Sequence, residues 1–545
     1  MNLQALLLIL WLPGGLSAQV TWDRLLHPER EPQNWLTYSG SNSSQRYSTL
    51  DQITRDNAKN LEMQWIYQAR SLEKFEATPL VVDGVMYLTE PPNNVVALDA
   101  KTGAIFWVYE YRPSGDARPC CGAVNRGLAI LGDTLFMGTI DARLIAIDAK
   151  AGRPVWSVRV GDPKVGYSIT HAPLVVKDKV IVGVAGAEYG IRGFIAAYDA
   201  STGKEVWRFN TVPGPGEPGH ETWAGDSWQH GGGSAWVTGS YDAGLNLLYW
   251  GVGNPGADWN GDNRKGDNLY SDCAIALDPD TGKLKWYFQF TPHDEYDYDA
   301  VQVPVLMDGN WKGSPRKMML WANRNGFFYV LDRTNGKFLY GAPFTKQTWA
   351  LGLDEAGRPI RAANSSPTPG GTLIYPGVQG GTNWYSPSYS PRTGLFYISS
   401  WQDYSMNLAK MPAEYSDGQR YTGGAPRSPT PTLQRGPINT WTAENGWGAV
   451  VAMDPSTGEK KWQFKMTDVT GSGILSTASD VIFTGGREGY FYALDARNGG
   501  MLWKAALGGQ VAMGPITYRI DGRQYVAVGA GHALFTFASR QPDQK

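Results

Sequence analysis

Four carboxylates fall within six residues in Asp294-Glu295-Tyr296-Asp297-Tyr298-Asp299. Oxygen donors at that density suit a hard cation or the movement of a proton. In an extended chain Asp297 and Asp299 point one way and Tyr296 and Tyr298 the other. Two carboxylates so close stay ionised together only with a cation between them. Without one, the run reads as a solvated acidic loop. A second reactive pattern is the adjacent pair Cys120-Cys121. With three cysteines in the chain, no disulfide framework exists. In an oxidising compartment the pair can close on itself, although neighbouring Cα atoms lie nearer than most bridges prefer; two reduced thiols in a loop are the alternative.

The elements that must position these residues recur along the chain. Asp, then Gly four residues on, then an aromatic four beyond that appears at Asp99/Gly103/Trp107, Asp148/Gly152/Trp156, Asp199/Gly203/Trp207, Asp278/Gly282/Trp286, Asp332/Gly336/Tyr340, Asp454/Gly458/Trp462 and Asp495/Gly499/Trp503. An eighth copy, Asn57 to Trp65, keeps the spacing and lacks the glycine. Strand-like runs flank each copy, so Asp-x-x-x-Gly predicts a hairpin turn. Small sheets repeated with a faithful aromatic predict an all-β, eight-bladed propeller, its tryptophans packed between blades. The long interval between Tyr340 and Trp462 predicts lid-like loops around a site, with Trp401, Tyr404, Trp441 and Trp447 exposed on them.

Composition narrows the function. Charged residues make up 18% of 545 and the net charge is −2, without a basic tract, which excludes nucleic acid as the main partner. The apolar run Leu6 to Leu12, followed by Leu16-Ser17-Ala18, reads as a signal peptide over residues 1–18, leaving 19–545 as one exported propeller domain. No Lys or Arg precedes the run, so an uncleaved anchor is the alternative, although the run is too short to span a bilayer. No other segment is apolar enough to span. No Cys-x-x-Cys-His occurs, so the chain has no site for covalent c-type haem.

The repeats, Arg118-Pro119-Cys120-Cys121-Gly122, Gly186-Ala187-Glu188-Tyr189-Gly190 and Pro292 to Asp299 together resemble the pyrroloquinoline quinone (PQQ) dependent alcohol dehydrogenases, over nearly the whole mature chain. The resemblance implies a propeller holding PQQ and a metal ion. PQQ is a flat quinone with three carboxylates. The matching positions are Arg126 as partner of a PQQ carboxylate, Thr170 as a hydroxyl donor, Glu76 as a further hydrogen-bonding contact and Gly186 and Ala187 beside the cofactor. Trp236 would lie under the ring, a Cys120-Cys121 disulfide would cover its other face, Arg324 would reach the quinone oxygens, and Asn383 would be a further contact. Glu188, Asn254 and Asp297 match the metal ligands, and Asp297 the general base that takes the alcohol proton. Calcium members resemble this sequence up to that base but typically carry a small residue two positions on, where lanthanide-dependent members carry aspartate. Asp299 therefore implies a lanthanide, with calcium the alternative.

The resemblance also implies a small primary alcohol as substrate, a soluble cytochrome c as the separate electron acceptor, a periplasmic location and a homodimer as an allowed assembly. Three departures stand out. Gly471-Ser472-Gly473 stands where methanol dehydrogenases carry a tryptophan, which opens one wall and suits a larger alcohol or aldehyde unless Trp401 or Trp441 refills it. His171 replaces a small or apolar residue and reads as structural. No haem domain is expected, so the resemblance implies a separate electron carrier. The competing reading is a non-catalytic propeller scaffold of the outer-membrane assembly type, which needs none of Glu76, Cys120-Cys121, Arg126, Glu188, Asn254, Asp297 and Arg324 and would carry a lipobox cysteine. His293 reads as a turn residue near the Asp297 loop.

Overall fold

The computed structural model describes residues 20–427 and 446–540. The expected signal peptide and Trp441 lie outside the described residues. Among the described residues no helix is long and apolar enough to cross a membrane.

The repeat motif folds as its residue types dictate. In Asp148-Lys150-Gly152 the carboxylate of Asp148 accepts from the N–H groups of Lys150 at 2.8 Å and Ala151 at 2.7 Å, while Gly152 N–H donates to Asp148 O at 2.9 Å. The aspartate thus makes the side-chain turn that reverses the backbone. Strands Arg143–Asp148 and Pro154–Arg159 then pair antiparallel. Gly152 sits at φ +65°, and a Cβ there would lie 2.5 Å from the ring of Trp107, so both backbone and space require glycine.

That contact joins sheet to sheet. Gly103 lies against Trp65, Gly152 against Trp107, Gly203 against Trp156, Gly282 against Trp207, Gly336 against Trp286, Gly458 against Tyr340 and Gly499 against Trp462. Trp503 meets Phe537 at 5.3 Å and returns the series to the sheet that holds Trp65. The indole N–H groups finish the joints: Trp107 donates to Ala149 O at 3.1 Å and Trp207 to Pro279 O at 2.9 Å. Each well-buried aromatic contributes about 3 kcal/mol of burial. Among the described residues eight sheets carry this antiparallel unit, seven with four strands and one with a fifth, parallel strand, Tyr47–Ser48.

Two expectations need correction, and one conditional reading takes a different form. Asn57 does not turn a hairpin: its Oδ1 accepts from Thr54 N at 2.7 Å, and the following strand Leu61–Gln68 pairs with Ala533–Ser539 at the other end of the chain. Leu61–Gln68 completes the sheet formed by the last three strands of the chain, so its partner does not precede it in sequence. Trp401 and Tyr404 are buried rather than exposed, each 3% accessible, because Trp401 belongs to the wholly buried strand Leu395–Gln402. Its indole donates to Thr470 O at 2.5 Å and stands edge-on to Tyr404. The acidic run is not extended, since His293 and Asp297 adopt φ of +52° and +64°. Tyr296 and Tyr298 nevertheless stack together at 5.1 Å while Asp297 and Asp299 share Arg324, so the expected sidedness holds on a different backbone.

Candidate active site and metal pocket

The segments that run between sheets hydrogen-bond to one another in sequence. Thr78 N donates to Arg126 O at 3.0 Å, Arg126 N to Thr170 O at 3.0 Å, Ala235 N to Val184 O at 2.8 Å, Gly253 N to Ser234 O at 2.6 Å and Ala300 N to Val252 O at 3.2 Å. Glu76, Arg126, Thr170, Trp236, Asn254 and Asp299 each lie within two residues of a rung. Rigid backbone therefore aims residues scattered over the chain at one place.

That place is a cavity of about 290 Å³. Every residue expected at the site lines it: Glu76, Cys120, Cys121, Arg126, Thr170, Gly186, Ala187, Glu188, Trp236, Asn254, Asp297, Asp299, Arg324 and Asn383. The axial set that a scaffold has no need of is thus assembled. Arg126 stands 5.1 Å from the ring centre of Trp236 and 4.4 Å from that of Trp384, a cation over two aromatic faces. It pairs with the buried Glu76 at 2.9 Å, which also holds Lys74 at 2.7 Å. The Cys120-Cys121 disulfide is closed, and Arg420 donates to Cys120 O at 3.0 Å. Asn383 accepts from Trp384 N at 2.8 Å.

At the other end the carboxylates converge. Asp294 spends its charge on the turn, accepting from Tyr296 N at 2.9 Å and Tyr298 N at 2.7 Å, and Glu295 pairs with Arg361. Asp297 and Asp299 are thereby turned inward, where the buried Arg324 pairs with Asp297 at 3.2 Å and also with Asp299. Asp299 accepts two further hydrogen bonds, from Asn254 N at 2.8 Å and Trp236 Nε1 at 3.2 Å. Glu188 is carried by a 3₁₀ turn, Ala187–Tyr189, fixed where Ala187 N donates to Ser234 Oγ at 2.9 Å. Tyr421 N covers the turn, donating to Glu188 O at 2.7 Å.

Burial pushes the carboxyls of Asp297, Asp299 and Glu188 up, and Arg324 draws each of them back toward the ionised form. Burial alone would lower the Arg324 guanidinium, but Asp297 and Asp299 raise it and keep it charged. Three carboxylates around one guanidinium leave an excess of negative oxygen that a metal ion would neutralise.

The donor set fits the expected groups. Among the described residues Arg126 and Arg324 each bury an Nε without a hydrogen-bond partner, which suits an anionic, oxygen-rich guest, and Trp236 offers a flat surface. Glu188, Asn254, Asp297 and Asp299 offer oxygen ligands alone, the chemistry of a hard cation.

Sequence reasoning missed Lys74, Gln379, Trp384 and Ser234, which also line the cavity. Trp384 was within reach as the neighbour of Asn383; Lys74 gave no signal. His171 does not reach the cavity and is structural: it is fully buried, with Nδ1 2.7 Å from Ala172 O and Nε2 accepting from Gly183 N at 3.0 Å. His293 bonds Gly266 O at 2.9 Å, as a turn residue does. Gly471 lines a second cavity of about 170 Å³ with Trp401, Tyr385 and Arg487; it shares Lys74, Gln379 and Trp384 with the first.

A family model described as "PQQ: Glucose/ethanol/alcohol dehydrogenase, beta-propeller domain" matches residues 35–346 and 358–526. The chain is 39% identical to a quinoprotein alcohol dehydrogenase of Pseudomonas putida over 547 residues, 95% of this chain and 90% of that protein. It is 36% identical to a lanthanide-dependent methanol dehydrogenase of Methylacidiphilum fumariolicum, over 95% of this chain and 88% of the other. A solved europium-containing methanol dehydrogenase superposes with a TM-score of 0.87 at 34% identity, covering 95% of this chain and all 100% of that one.

Proposed function

The chain belongs to the PQQ-dependent alcohol dehydrogenases, all-β propeller enzymes, and from that premise we propose that it is an exported, periplasmic quinoprotein that oxidises primary alcohols to aldehydes with a lanthanide at its metal pocket. The observation that carries the reading is the inward pair Asp297 and Asp299 on Arg324, beside Glu188 and Asn254. The four-stranded unit, repeated in eight sheets, supports an eight-bladed propeller as a single domain.

When bound, PQQ supplies the two-electron acceptor and the neighbouring ion Lewis acidity. Trp236 and the Cys120-Cys121 disulfide would enclose it, while Arg126, Thr170, Glu76 and Asn383 orient it. Asp297 takes the hydroxyl proton of the alcohol as general base. Arg324 favours its ionised form and keeps both carboxylates facing the cavity. Asp299 would serve as the additional oxygen ligand that suits a trivalent over a divalent ion. The second cavity at Gly471, although Trp401 also lines it, supports a preference for alcohols larger than methanol. In this reading electrons pass to a separate soluble cytochrome c, the acceptor that the family resemblance implies, and a homodimer is the assembly carried with it.

The test is dye-linked oxidation of short and long primary alcohols by the purified protein with PQQ, with calcium in one series and lanthanum or cerium in another. Activity with the lanthanide and little with calcium is expected. Activity with calcium alone would retain the enzyme and overturn the lanthanide, and none with any metal would overturn both.

A further inference from the structure

Behind the four expected ligands lies a carboxylate that none of the foregoing uses. Asp258 is 1% exposed, and its Oδ1 has no hydrogen-bond partner among the described residues. It stands on a loop fixed at both ends. Gly256 N donates to Gly231 O at 3.0 Å, and Trp259 N to Thr422 O at 3.0 Å. The nearby buried Arg264 does not bond it. That guanidinium is spent on Ala257 O at 2.9 Å, Asp294 O at 2.5 Å and Asn268 Oδ1 at 3.0 Å. A buried carboxylate left without its own cation is costly, and the fold has clamped this one in place rather than let it reach water.

Its surroundings say what it serves. Burial pushes its carboxyl well up; Glu188 and Asp299 add to that push, the Asn254 side-chain amide and Arg264 favour the ionised form, and Asp297 feels its charge in turn. Asp258 does not line the cavity, whereas Glu188, Asn254, Asp297 and Asp299 do. We propose that Asp258 is a positioning residue of the metal pocket, which acts from behind Asn254 to turn the amide oxygen inward and adds negative charge that selects a trivalent ion over a divalent one. This rests on the lanthanide reading above and deepens it. Glu188, Asp258, Asp297 and Asp299, ionised around a bound cation, outnumber the guanidiniums of Arg324 and Arg264 beside them, an excess of negative charge that favours a trivalent ion over calcium. The excess acts across low-dielectric protein, where charge is poorly screened.

Terbium(III) luminescence in the PQQ-loaded full chain, sensitised by nearby tryptophan and displaced by calcium, measures this preference. Lifetimes in H₂O and D₂O count the waters on the ion. Asp258→Asn removes the charge while its side-chain oxygen can still accept from the Asn254 amide. The expected result is a fall of about tenfold in the terbium-to-calcium affinity ratio, from lost long-range charge interaction, an unchanged water count, and recovery of the ratio in Asp258→Glu. An unchanged ratio in Asp258→Asn would overturn the proposal. So would one added water, which would make Asp258 a ligand. Asp258→Ser is read the same way should Asp258→Asn not fold. If the unsubstituted chain binds no terbium, the lanthanide reading falls and Asp258 with it; if it binds terbium and only the substitutions are silent, Asp258 alone falls.

Discussion

The main-chain N–H of Asn254 donates to Oδ1 of Asp299 at 2.8 Å, so two residues 45 apart in sequence hold each other at the cation pocket. Asp299 thereby does two jobs, since the same carboxylate accepts from Trp236, the aromatic wall of the cofactor cavity. Under the proposed function, metal ligation and cofactor stacking would share one anchor.

Replacing Asp299 tests that sharing. Asp299→Ser is expected to lower the activity ratio of lanthanum to calcium by about tenfold or more, because one oxygen ligand and one charge are lost from a hard-cation site. The measurement is the metal series of the dye-linked assay. Because Trp236 also loses its acceptor, PQQ retention falls with it.

Asp297→Asn should separate binding from chemistry. The amide keeps the size and loses the base, so kcat falls by about 10²- to 10⁴-fold while PQQ stays bound. Turnover and the absorbance of the bound cofactor, read on one sample, check both halves.

The open wall at Gly471 predicts chain-length preference. A Cβ there meets Tyr385 at 3.5 Å, an ordinary contact, and Gln510 Nε2 at 3.3 Å, so a side chain enters the second cavity only as the Gln510 amide gives by a few tenths of an ångström. Gly471→Trp is expected to reduce kcat/KM for long alcohols by about tenfold, the scale of a few methylenes excluded from a pocket, with little change for ethanol.

The joints between sheets should be unequal. Trp207 is 7% exposed and bonded to Pro279 O, whereas Trp107 is only half-buried. Trp207→Ala is expected to cost about 3–5 kcal/mol and Trp107→Ala less, as read from unfolding midpoints in denaturant.

His171 should set part of the acid limit. Burial pushes its imidazole down from 6.5 to about 4, against the pull of Ala172 O and Gly183 O. A depressed histidine gives its full stability above 6.5 and loses it as pH falls toward 4, since only the unfolded chain takes up the proton. The loss is on the order of 3 kcal/mol. Denaturant midpoints from pH 7 to 4 should show a shallower slope in His171→Gln.

The repeat was legible because each Asp and Gly answers a local demand, a turn bond and a left-handed φ, that sequence spacing displays directly. The site residues were legible through motifs that stand beside those turns. What was not legible depends on contacts between distant segments. Trp401 looks like a loop aromatic until strand Leu395–Gln402 is seen between two others. Asn57 mimics the motif, but its strand finds its partner at Ala533–Ser539. Lys74 and Asp258 are single charges in unremarkable loops, and only the folded chain shows that one meets Glu76 and the other lies behind Asn254.

The central claim is that the cavity between Trp236 and Arg324 binds PQQ as a working quinone. The most direct measurement is titration of PQQ into the purified protein with lanthanum present, followed by a primary alcohol while the cofactor absorbance is recorded. Saturation at one PQQ per chain, with bleaching of the quinone band when alcohol is added, is the predicted result. No saturable binding, or binding whose spectrum alcohol leaves untouched across the panel, would contradict it.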